Sequence, residues 1–189
     1  MASGLWLVAF VTLQRLAELA LARRNTRRLL ARGGREVGAG HYPAMVAFHA
    51  GWLGLMWALA ADVALVPLWT AVFVLLQGLR FWILASLGER WTTRIVVVDE
   101  PLVRRGPYRL MAHPNYALVV AEIAVVPLAL GAPLVALAVS LPHLALLRVR
   151  LRAEAAALAP HHPAPRRRSH PGERARDGRP AGGDRHRRR

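Results

Sequence analysis

Apolar residues run along this chain in long stretches separated by short clusters of arginine. Leu5 to Ala22 is apolar except for Gln14, Arg15 and Glu18. Ala44 to Ala61 has His49 as its one ionisable group, and Val63 to Leu84 carries Gln77 and Arg80 near its end. Tyr116 to Leu130 and Pro133 to about Leu147 follow. The last two are short against the roughly 20 residues that a spanning helix needs. Gly131-Ala132-Pro133 between them is a turn signal, so the pattern predicts a tight helical hairpin and not one long helix. The fifth helix should continue past the membrane, because Leu147 to Leu158 holds neither Gly nor Pro. The expected fold class is therefore all-α, a polytopic membrane protein of about five transmembrane helices. The N-terminal run lacks a basic start and is broken by Arg15 and Glu18, which argues against a cleavable signal peptide.

Charge gives this pattern a direction. Arg23, Arg24, Arg27, Arg28, Arg32 and Arg35 follow the first run; Arg90, Arg94, Arg104, Arg105 and Arg109 follow the third. The connections around Asp62 and Gly131 carry no arginine. The positive-inside rule then places the N-terminus outside, and the two basic loops and the C-terminal tail in the cytoplasm. Any chemistry is then expected on the cytoplasmic face of the membrane.

Composition removes several classes of chemistry. The 189 residues include 26 Lys+Arg against 11 Asp+Glu, a formal charge of +15, while 54% are hydrophobic. Cysteine is absent, which excludes disulfides, thiolate nucleophiles and Cys-ligated metals. All the cations are arginine, so Schiff-base chemistry is excluded too. Residues 159–189 read as a disordered Arg/Pro-rich tail, in which residues 160–189 hold ten arginines against three acids. No aromatic residue follows Tyr116 to stack a base, so the tail is expected to touch anionic membrane lipid and no specific nucleic acid. Gly33, Gly34, Gly38 and Gly40 follow no strand, which argues against a dinucleotide or phosphate loop. No βαβ pattern supports a soluble Rossmann methyltransferase. His161-His162 lacks the further ligands of a metal site, and none is expected.

Two stretches could carry chemistry. Pro114 suits the first turn of a helix, where its missing N–H is harmless, so the fourth helix should begin near His113. Its free backbone N–H groups and positive dipole end would then favour an anion such as a carboxylate. His113 and Tyr116, three residues apart, should share a face. In the fifth helix, about 100° per residue puts Arg150 and Glu154 on one face with His143, Leu146 and Leu147, and turns Arg148 and Arg152 away. Taken alone, the first stretch reads equally as a helix cap with an interfacial tyrosine, and the second reads as a surface i,i+4 ion pair. Glu122 is costly in lipid and should pair inside the bundle with Arg80 or His49; Arg15 and Glu18 can pair with each other.

Together these pieces resemble the isoprenylcysteine carboxyl methyltransferase family of integral-membrane enzymes. The likeness rests on Leu102-Val103, Gly106-Pro107-Tyr108, His113-Pro114-Asn115-Tyr116, a helical hairpin and Arg150-x-x-x-Glu154, within residues 75–158. Gln77 to Trp82 and Gly88 to Arg94 are similar to a bacterial branch whose genes often neighbour a type III polyketide synthase. That resemblance implies an S-adenosylmethionine-dependent methyltransferase domain over residues 1–158, with long-chain alkylresorcinols or alkylpyrones as acceptors. It implies cofactor contacts at Leu102, Val103, Tyr108, His113, Pro114, Asn115, Tyr116 and Glu154, with Arg150 at the acceptor and Arg150 and Glu154 as the catalytic pair. Ala112, Leu118 and Ala155 depart from the family's usual Arg, Gly and Glu. Two other readings fit the topology: a non-catalytic membrane protein whose basic arm binds anionic lipid or a partner, and a phospholipid methyltransferase.

Overall fold

The computed structural model describes residues 3–158; the expected tail, 159–189, lies outside the described residues. Five α-helices carry the fold: α1 (Ser3–Ala31), α2 (Tyr42–Leu59), α3 (Pro67–Leu87), α4 (Pro114–Ala129) and α5 (Pro133–Leu158). Proline sits in the first turn of all but α1 (Pro43, Pro67, Pro114 and Pro133), where its fixed φ suits the helix and its missing N–H is no loss. α1 stops at Gly33, whose φ of +87° turns the chain, so that the Gly34 N–H caps the Leu29 carbonyl at 2.9 Å. The expected hairpin joins α4 to α5 through Gly131 at φ +74°.

The third helix begins four residues later than the apolar run suggests. Val63 to Val66 is instead a connection that ties the arginine-poor end together. Its Val63 carbonyl accepts the Gly4 N–H at 3.1 Å, and the Val66 N–H reaches the Ala129 carbonyl at 2.9 Å. A Cβ on Gly4 would lie 2.8 Å from the Ala60 carbonyl, so α1 approaches the end of α2 this closely because residue 4 is glycine.

The protein is an all-α polytopic membrane protein. By length and composition, Ser3–Ala31, Pro67–Arg90 and Pro133–Ala157 can each cross a membrane, and Pro114–Ala129 is a shorter apolar helix. At about 1.5 Å per residue, α4 covers roughly 24 Å, less than a hydrocarbon core of about 30 Å. Outward faces are apolar, with Trp6, Leu75, Phe81 and Leu134 all strongly exposed, as suits helices bathed in lipid.

Two apolar clusters lie inside. Leu7, Val8, Val11, Trp52, Met56, Phe73, Ile123 and Val126 fill the arginine-poor half, while Ala22, Ile83, Trp91 and Leu118 pack near the basic end. A network of four charges also lies within the bundle. Arg80 donates through Nε to Glu122 at 3.0 Å and through Nη1 to Glu18 at 2.6 Å. Arg15 joins Glu18 at 3.1 Å and also reaches Glu122, and Gln77 donates to Glu122 at 3.1 Å. The expected Arg80–Glu122 and Arg15–Glu18 pairs are therefore both present, fused into one balanced set. His49 is not Glu122's partner: its Nδ1 lies 2.8 Å from the Met45 carbonyl, one turn back along α2.

A short antiparallel ribbon is the part of the fold that the hydropathy pattern did not suggest. β1 (Arg35–Val37) pairs with β2 (Ile95–Val97), with Glu36 opposite Val96. It joins the loop after α1 to the loop after α3, and Arg94 clamps Glu36 at 2.9 Å. The basic end is tied further by Asn25, whose Nδ2 donates to the Trp91 carbonyl at 2.9 Å, and by Arg28 and Arg32 on Glu89.

Candidate functional site

At the basic end, α4 and α5 stand side by side, and their first and last turns face the loop after α3. α4 starts at Pro114 with His113 as its N-cap, as expected, and no side chain caps it. The Tyr116 ring projects from this first turn and lies parallel to the His113 ring, with centroids 5.3 Å apart. Arg150 reaches the same ring from α5. Its Nε donates to the Tyr116 hydroxyl at 2.9 Å, and its Nη1 donates to the Thr93 carbonyl at 2.7 Å. The Tyr116 hydroxyl in turn donates to the Glu154 carboxylate. Arg150, Tyr116 and Glu154 thus form one hydrogen-bonded chain. Arg150 is 9% exposed, whereas Arg148 and Arg152 face outward, as helical geometry predicts. Arg150 Nη2 has no hydrogen-bond partner among the described residues.

Tyr108 closes the Glu154 side. Burial, reinforced by the nearby Glu154 charge, pushes its phenol up to about 12, so it remains an O–H donor throughout the physiological range. Tyr108 is carried by a single 3-10 turn, Gly106–Arg109, that leans on α3. Gly106 makes the contact possible: it sits at φ +58°, and a Cβ there would fall 2.0 Å from Ser86 Oγ. Tyr42, at the start of α2, faces Thr93 with its hydroxyl 3.2 Å from the threonine Oγ1.

Below Arg150 lies a cavity of about 300 Å³, bounded by α1, α2, α4 and α5, by Arg80 of α3 and by Trp91 to Thr93 of the loop that follows. Its walls are mostly apolar, with Leu16, Val46, Leu53, Val119 and Leu147 among them. Asn115, Tyr116 and Arg150 line its basic end; Arg15, His49, Trp52 and His143 line the rest. Glu154, His113 and Tyr108 are not part of its wall and border it from the loop side. Leu102 is exposed, and Val103 lines a separate, more open hollow with Leu29, Leu87 and Arg105. The structure therefore gathers Tyr108, His113, Pro114, Asn115, Tyr116, Arg150 and Glu154 around one point, and leaves Leu102 and Val103 on the neighbouring segment.

Residues 65–160 match the isoprenylcysteine carboxyl methyltransferase (ICMT) family. The chain belongs to that family. It is also 39% identical over 161 residues to the uncharacterized protein YpbQ of Bacillus subtilis (strain 168), across 80% of this chain and 94% of that protein. No solved structure matches it. The ICMT match covers α3, α4 and α5 and hence the whole Arg150–Tyr116–Glu154 chain. The α1 and α2 walls of the cavity fall outside it.

Sequence reasoning missed several parts of this site. The Thr93 carbonyl is a backbone group and leaves no mark in composition. Tyr42, Trp52 and Trp91 could be read only as interfacial or core aromatics. Asn25 had a signal, an amide set between two pairs of arginines near the end of α1, but nothing in the sequence names the carbonyl it serves.

Proposed function

We propose that this ICMT-family membrane methyltransferase uses S-adenosylmethionine to methylate an oxygen of a lipophilic, membrane-dissolved acceptor. That oxygen belongs to a carboxylate or to a phenolic or enolic hydroxyl, as in alkylresorcinols and alkylpyrones. The observation that carries the reading is the junction of a charged hydrogen-bonded chain, Arg150–Tyr116–Glu154, with an apolar cavity inside the helices. One end suits a polar cofactor and the other a hydrocarbon chain.

The donor set fits the cofactor. Its amino-acid carboxylate suits the uncapped start of α4, where free N–H groups and the helix dipole favour negative charge. Its cationic part suits Glu154, and Tyr108 stands beside that carboxylate. When bound, the cofactor supplies an already activated methyl on a sulfonium. The chain's own residues then need to hold the acceptor oxygen in line, and such alignment can lower a barrier by about 7–11 kcal/mol. Arg150 is held through Nε and Nη1, and this fixes Nη2 for a single acceptor oxygen. A carboxylate needs no base. A phenol is favoured as phenolate by the same guanidinium. Apolar walls keep water from competing for the methyl group.

The direct test is transfer of labelled methyl from S-adenosylmethionine into a lipid extract by the purified protein, with alkylresorcinol and long-chain carboxylic acid panels as acceptors. No labelled product from any extract would remove the reading. The site is proposed to face the cytoplasm, because the arginine-rich loops gather at that end. Reporters fused at residues 38 and 98 should then be cytoplasmic, and those at 62 and 132 external. A cytoplasmic signal at 132 overturns the orientation.

A further inference from the structure

Arg150 is held at two points of unequal kind. Tyr116 belongs to α4, but the Thr93 carbonyl lies in the bend between the Gly88–Arg90 turn and β2, outside any helix or strand. That carbonyl is part of the peptide that joins Thr93 to Arg94, so its direction depends on what holds those two side chains. Tyr42 holds both. Its hydroxyl lies 3.2 Å from Thr93 Oγ1, and the Arg94 guanidinium lies over its ring, 4.7 Å from the centroid. Arg94 also donates to both oxygens of Glu36 at 2.9 Å, and the next residue, Ile95, pairs with Val37.

Glu36, Val37 and Tyr42 all come from the stretch that leads from α1 into α2, which lies outside the residues that match the family. Gly38, at φ +68°, turns that stretch so that Glu36 and Tyr42 both reach Arg94. A Cβ on Gly38 would lie 3.2 Å from the Ala153 Cβ, so the stretch also passes against α5 beside Glu154. The Arg94 side chain is 43% exposed, and its ion pair with Glu36 therefore adds little to stability. The Tyr42 contact is different. It is partly buried, it lines the cavity with Thr93, and it bears on the peptide whose carbonyl Arg150 uses.

We propose that Tyr42 is a positioning residue for Arg150: it fixes the Thr93–Arg94 peptide, whose carbonyl holds Nη1 and so aims Nη2 at the acceptor oxygen. The proposal rests on the reading that Arg150 orients that oxygen. A turn of this one peptide would release Nη1 and leave the guanidinium tethered through Nε alone. Misplacement by about 1 Å at a reacting centre can cost about a hundredfold in rate. Loss of one neutral hydrogen bond behind the guanidinium should cost less, about fivefold.

The test reads Arg150 directly, by NMR on the full chain in detergent micelles with neither methyl donor nor acceptor present. Its guanidinium signal is identified by its loss in Arg150→Lys. The quantity measured is rotation about the Nε–Cζ bond, which exchanges Nη1 with Nη2 and must first break the bond to Thr93. Tyr42→Phe removes the hydroxyl but keeps the ring under Arg94, and should speed that rotation about fivefold. Thr93→Val breaks the same contact from its other side, should act alike, and serves if Tyr42→Phe does not fold. The two changes together should do no more than either alone. Trp57→Phe, whose indole donates to Thr12 at 3.0 Å, should leave the rotation unchanged. An unaltered rotation in Tyr42→Phe and Thr93→Val overturns the proposal. In methyl transfer, each should lower kcat about fivefold with KM for S-adenosylmethionine unchanged, and neither should lower it further in an Arg150→Lys background. A loss in Tyr42→Phe that persists in that background would make Tyr42 a direct contact of the acceptor and overturns the positioning role. Wild-type protein that transfers no methyl group, with rotation loosened in the variants, loses the methyltransferase reading and keeps the positioning role. Protein that transfers normally, with rotation unaltered in the variants, loses the positioning role alone.

Discussion

Replacing Arg150 with lysine is expected to lower methyl transfer by about a hundredfold, the usual scale for losing one positioned donor at a reacting oxygen. Arg148→Lys should leave it within about twofold. The two changes are identical in composition and net charge, so the contrast isolates geometry. Arg150 is nearly buried and spans Tyr116 and the Thr93 carbonyl with two nitrogens of one rigid plane. An ammonium has no such fork, so lysine can serve one of those acceptors but cannot also hold a third donor in place. Arg148 faces outward and has no part in the chain. Cofactor binding should survive Arg150→Lys, because the groups proposed to hold the cofactor are on α4 and at Glu154. Glu154→Gln should lose that binding, and His113→Ala should weaken it without unfolding the bundle, since His113 is exposed. Calorimetry with S-adenosylmethionine separates these cases from general damage. Equal methyl transfer in Arg148→Lys and Arg150→Lys would place the site elsewhere.

What could be read in the sequence was what depends on local periodicity. The shared face of Arg150 and Glu154 follows from 3.6 residues per turn, and the start of α4 follows from Pro114. The hairpin follows from Gly131, and the Arg80–Glu122 pair from the cost of a lone charge in lipid. What could not be read depends on neighbours far apart in the chain. Arg35-Glu36-Val37 has no strand pattern of its own and pairs with Ile95-Val96-Val97 because the helices bring two loops together. Tyr116 was expected at the cofactor, but its place between Arg150 and Glu154 needs the crossing of α4 and α5, which no spacing encodes. The cavity is harder still, since its lining residues come from helices far apart in the chain.

The charge network inside the bundle carries the other large expectation. Glu122→Leu should destabilise the fold by about 3–5 kcal/mol, because it leaves Arg80 and Arg15 to share one carboxylate, Glu18, inside the bundle. Both arginines bond to Glu122, which is 1% exposed, and Arg80 is 3% exposed, so water cannot take over the lost bonds. Arg80→Leu should be nearly as damaging, because it leaves Glu18 and Glu122 to share one remaining cation. The double variant should be less destabilised than the sum of the two. It removes one charge of each sign and leaves Arg15 and Glu18 as the pair they already form. The coupling should fall within the 0.5–3 kcal/mol typical of residues in one network. Unfolding of the four proteins in detergent, followed by circular dichroism, completes the cycle. Strict additivity would mean that the two side chains do not depend on each other. The network would then not be the internal brace that holds α1, α3 and α4 around the cavity.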